Sequence, residues 1–153
     1  MESRRTRQME YSSLINLTNE LQLKIFDCLK LEGQYNFYEY LKKYNNLDFL
    51  NKHLKIKLTK ENIRKLIYNI KRNNMNYIEF LYLFSKRKEK EIILKHLFVF
   101  GDENLYLPFM DKYKVILSPT LYICLYNNCK RKTRQRTLDY LRYKNRVFYR
   151  LIN

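Results

Sequence analysis

The sequence predicts an all-α fold: a single compact helical domain of about five to seven helices, ending in a basic helix. Three observations carry this expectation. Apolar residues recur at i, i+4 and i+7 in several separate stretches, the spacing of one helix face. Glycine and proline are scarce, two of each in 153 residues. Two glycines are too few for a phosphate-cradling loop or the turns of a sandwich, which argues against P-loop, Rossmann and immunoglobulin-like architectures. Finally, 46% of the residues are hydrophobic and 16% aromatic, enough material for a core in a chain of this length.

The elements follow in order. Thr18 is a candidate N-cap with Glu20 in the first turn, and Leu21, Ile25, Cys28 and Leu29 fall on one face behind it. A second pattern surrounds Phe37, Tyr40, Leu41 and Tyr44. Thr59 caps a third helix, with Ile63, Leu66, Ile67 and Ile70 inward. Asn76 starts a fourth, apolar nearly all round from Tyr77 to Phe84 and therefore central. The charged stretch Lys86 to Glu91 leads into Ile92–Phe100, which Gly101 ends as a left-handed residue, followed by the acidic turn Asp102-Glu103-Asn104. Ser118-Pro119 has the signature of another helix start, running through Tyr126. The last helix spans about Thr133 to Ile152 with Leu138, Leu141, Phe148 and Leu151 or Ile152 inward. Strands at Lys114–Leu117 or Leu121–Tyr126 are the alternative, since both stretches are β-prone.

Charge divides the chain more sharply than hydropathy does. The net charge is +16, from 31 Lys and Arg against 15 Asp and Glu. Residues 130–153 hold nine of the bases and one acid, Asp139. The sequence therefore reads as a helical region over 1–129 and a basic C-terminal helix over 130–153 packed on the same domain. On that helix Arg142, Arg146 and Arg150 recur every four residues, a stripe of like charge that a row of phosphates would neutralise. Lys130, Arg131, Lys132, Arg134 and Arg136 precede it, and Tyr143 and Tyr149 are placed to stack on unpaired bases. RNA, or another polyanion, is the expected partner. The run Lys130–Arg136 also has the composition of a nuclear-import signal.

No catalytic, cofactor or metal site is expected. His53 and His96 lie beside no Ser or Cys in a triad-like arrangement, and the three cysteines lack zinc-site spacing. MESRRTRQME is charged throughout and no stretch approaches a membrane span, so the expected compartment is the cytoplasm, with the nucleus as the second. Abundant Lys, Asn, Ile, Tyr and Phe, with no Ala or Trp, is the composition of an A+T-rich coding sequence, as in many viruses, parasites and organelles.

The stretch Leu17-Thr18-Asn19-Glu20-Leu21-Gln22-Leu23-Lys24-Ile25-Phe26-Asp27-Cys28-Leu29 resembles the start of an F-box, whose pattern is Leu-Pro-x-Glu-Leu, three residues, Ile-Phe, two residues, Leu. Thr18 stands where the family has Pro, and Leu41-Lys42-Lys43-Tyr44 is similar to its closing segment, so the resemblance covers residues 17–47. It implies that Leu17, Leu21, Ile25, Phe26 and Leu29 dock on the Skp-type adaptor of a cullin–RING ubiquitin ligase. Joined to the basic region, this describes a small viral accessory factor that binds RNA, in the manner of F-box-like suppressors of RNA silencing. The alternative is a structural RNA-binding protein of a ribonucleoprotein from an A+T-rich organelle or parasite.

Overall fold

The computed structural model describes residues 18–44 and 55–152, with side chains from 18 to 43 and from 55 to 144. Among these residues eight helices occur and no strand; one isolated parallel bridge joins Ile56 to Ser85. The helices are α1 (Asn19–Cys28), α2 (Leu31–Tyr44), α3 (Lys60–Lys71), α4 (Met75–Leu83), α5 (Arg87–Phe100), α6 (Glu103–Lys112), α7 (Pro119–Arg131) and α8 (Gln135–Ile152). The described residues are thus all-helical, with one helix more than the upper end of the expected range. Lys114–Leu117 is irregular and Leu121–Tyr126 lies inside α7, so neither is a strand.

Where the sequence suggested one domain, the chain divides into two compact units. The first comprises the described residues up to Lys57 together with Glu79–Lys86. Its core is aromatic: Phe26 packs on Phe37, and Tyr38 meets both Phe80 and Phe84, the last edge-on at 5.3 Å between ring centroids. The second comprises Leu58–Ile78 and the residues from Arg87 onward. There α5 packs on α3 and α7, and α8 packs on α7 and α6. Ile93, Leu94, Leu97 and Phe98 of α5 and Leu121, Leu125 and Cys129 of α7 are its buried side chains at the main seam.

Local chemistry explains the helix ends. Thr18, Thr59, Asp102 and Ser118 each accept a hydrogen bond from a backbone N–H three residues on, filling one of the donors a helix start leaves open. Three helices finish alike, with a left-handed residue after the cap: Asn73 after α3, Lys114 after α6 and Thr133 after α7. In each case the next residue's N–H returns to a carbonyl five positions back, Asn74 to Asn69, Val115 to Met110 and Arg134 to Cys129. This is the Schellman closure, built here without glycine.

Gly101 departs from expectation, because no glycine has positive φ. It is needed for space instead. A Cβ at Gly101 would stand 2.6 Å from the Leu97 carbonyl oxygen. The buried face of α1 is also rotated from the expected one. Gln22 and Phe26 are buried, whereas Leu21 is 44% exposed and Cys28 is exposed.

Candidate nucleic-acid interface

The basic segment begins on the last turn of α7. Leu121, Leu125, Asn128 and Cys129 form the inner face of that helix, which leaves Tyr126, Asn127, Lys130 and Arg131 outward. The Lys130 ammonium lies over the Tyr126 ring, 5.8 Å from its centroid, and an Arg131 Nη donates to Asn128 Oδ1 at 3.3 Å. Burial raises the Cys129 thiol pKa above its ordinary value.

Beyond the Thr133 turn the segment locks onto the corner between α5 and α6. Lys132 Nζ donates to the Val99 carbonyl at 2.7 Å. Arg134 donates to the Gly101 carbonyl at 2.8 Å and the Phe98 carbonyl at 3.3 Å, while its guanidinium lies over the Tyr106 ring. These are the carbonyls that the C-terminal end of α5 leaves without helical partners, and cations there complement the helix dipole. Arg136 donates to Asn104 Oδ1 at 2.7 Å. Thr137 gives both its N–H and its hydroxyl to Glu103 Oε1, at 2.9 and 2.8 Å. The Glu103 carboxylate therefore caps α8 from the first turn of α6. Tyr106 and Thr137 oxygens stand 2.5 Å apart, and burial pushes the Tyr106 hydroxyl above its ordinary pKa despite bonds to Thr137 and Arg134 that pull it down.

The turn Asp102-Glu103-Asn104, read from sequence as acidic loop, is thus the start of α6 and one half of a bonded junction. Lys132, Arg134 and Arg136 are its other half. Arg134 is only partly exposed and holds several protein partners, so it leaves the phosphate-contacting set; Lys132 and Arg136 are exposed but tethered.

Further along α8 the environment changes. Thr137 and Leu141 are buried and anchor the helix, and Arg142, Tyr143 and Lys144 are exposed, Tyr143 by 64%. The Arg142 guanidinium comes no closer than 3.9 Å to Asp139, a weak surface pair. Lys144, counted in the sequence only as charge, lies over the Tyr140 ring at 5.5 Å. The side chains of Arg146, Tyr149 and Arg150 lie outside the described residues, as does all of Leu17.

In the F-box-like stretch, Phe26 is completely buried and packed on Phe37. It is a core residue, which corrects its place among the adaptor-facing side chains. Leu21 is exposed, and Ile25 and Leu29 are half-buried.

Among the described residues no three His, Cys, Asp or Glu side chains converge as metal ligands, and no helix is long and apolar enough to cross a membrane. No family model, no curated protein and no solved structure matches this chain.

Proposed function

We propose that this chain is a small basic accessory protein that binds RNA through the outward cations of α7 and α8. The observation that carries this reading is the exposed group Arg142, Tyr143 and Lys144 on a helix held from its other side by Thr137 and Leu141. A cationic face of this kind meets backbone phosphates with release of condensed counterions. Replacing Arg142 and Lys144 together by Gln is expected to weaken RNA binding and to lower the log–log salt slope by roughly 1.5, about 0.7–0.9 per lost phosphate contact. Titrations of single-stranded RNA at several salt concentrations measure this. An unchanged slope would remove these residues from the interface.

A second contact, to a Skp-type adaptor, is favoured by one observation: Leu21, one of the matching residues of the F-box-like stretch, projects from α1 with 44% of its surface exposed. An apolar helix residue left outward suits a partner that supplies the groove. Leu21→Ala is expected to abolish co-purification with the adaptor while leaving the thermal melt within about 2 °C of wild type. A large drop in melting temperature, or undiminished capture, would return Leu21 to an ordinary surface residue. This pairing of contacts fits a viral accessory factor of the silencing-suppressor kind.

A further inference from the structure

Tyr122, Tyr126 and Lys130 occupy positions i, i+4 and i+8 of α7, one line down the helix. The two tyrosine rings are nearly parallel, 6° apart in plane with centroids 6.4 Å apart. Beside this line Ile123 is 58% exposed, and Tyr126 is itself 38% exposed. The Lys130 ammonium covers one end of this line. No Asp or Glu occurs anywhere in Pro119–Arg131, and the helix closes with Lys130, Arg131 and Lys132 in succession.

We infer that this outer face of α7 is a stacking platform for the unpaired bases of a single-stranded nucleic acid. The inference rests on the RNA-binding reading above and adds a site that α8 does not supply. Charge complementarity selects the occupant. A protein partner that buried Ile123 and the tyrosines would have to bring carboxylates to Lys130 and Arg131, whereas a nucleic-acid strand carries an aromatic face and an anion in every nucleotide. Aromatic side chains set in a positively charged surface hold bases by stacking without regard to sequence. A duplex keeps its base faces to itself, so the platform takes single strands.

The test uses the whole chain and two labelled strands of equal charge, an oligouridylate of about 16 nucleotides and its abasic counterpart. Wild type is expected to bind the base-bearing strand about tenfold more tightly. Tyr122→Leu with Tyr126→Leu should bring the two affinities together while keeping the salt slope, and the paired Phe substitutions should keep the preference. Lys130→Gln should lower the slope by roughly one for both strands. If the Leu variant melts early, Ile123→Glu replaces it: a carboxylate beside the rings should weaken oligouridylate binding roughly fivefold by repelling the phosphates. An undiminished preference in the Leu variant, or no effect of Ile123→Glu, overturns the platform and leaves RNA binding intact. Wild type binding neither strand overturns the RNA reading itself. Sedimentation showing a wild-type dimer that Tyr126→Leu makes monomeric assigns the face to a second copy and also overturns the platform.

Discussion

The two ends of the basic segment carry the same kind of residue and do different work. Lys132, Arg134 and Arg136 reach back some thirty positions to α5 and α6 and bond carbonyl and amide oxygens. Among the described residues, Arg142 and Lys144, a few positions on, meet an exposed carboxylate at 3.9 Å and a tyrosine ring. The difference lies in what the helix beneath them presents. The first group emerges beside a helix C-terminus, whose unpaired carbonyls compete for any nearby N–H. The second emerges from mid-helix, where backbone groups are already paired and do not compete for a side-chain donor. Positive charge in a sequence is therefore a poor guide to which cations the fold has already bonded.

The largest expected effect tests the anchored end. Arg134→Ala should lower the unfolding free energy by about 2–4 kcal/mol, since it leaves two carbonyls without their charged donor. Arg134→Lys should recover less than half, because an ammonium cannot reproduce the planar fork that reaches both carbonyls and lies on Tyr106. Urea denaturation measures both. A loss under about 1 kcal/mol would show that the corner holds without this residue.

A smaller effect, of opposite sign, is expected one residue earlier. Thr133 is β-branched and sits at φ 52°, a conformation that costs roughly 1–2 kcal/mol for a residue with a Cβ. Thr133→Gly should raise stability by about 1 kcal/mol, the relief being partly offset by glycine's greater unfolded freedom. A destabilised variant would mean that the bond from Thr133 Oγ1 to the Lys132 carbonyl outweighs the strain.

The smallest effect belongs to the free end. Arg142→Gln with Lys144→Gln should change stability by no more than about 0.5 kcal/mol, as exposed charges usually do. A loss comparable to that of Arg134→Ala would erase the distinction between the two groups.

Much of the helical layout was readable in advance because its signals are local. Thr18, Thr59 and Ser118 cap as their side chains suggest, and Leu66 with Ile70 mark the buried side of α3. Other features were not readable. α6 contains Pro108, which discourages a helix reading, although Asp102 stood before it as a serviceable cap. The inner face of α1 passes through Gln22, and a buried amide leaves no mark in an apolar pattern. One of the boundaries between the two units falls within α4, between Ile78 and Glu79, where a continuous apolar run gives no hint of it. As for the site, the sequence located the basic segment but could not sort its members, because that sorting depends on carbonyls some thirty residues away.

The α5–α6 corner has a consequence for how the chain is made. The Gly101 carbonyl and the guanidinium that satisfies it are separated by 33 positions. At synthesis rates of about 5–20 residues per second, roughly 2–7 s pass between them. Through that interval the end of α5 has only water to answer its carbonyls, and Glu103 has no helix start to cap. The second unit therefore completes this junction only after the residues that bond its middle have been synthesised.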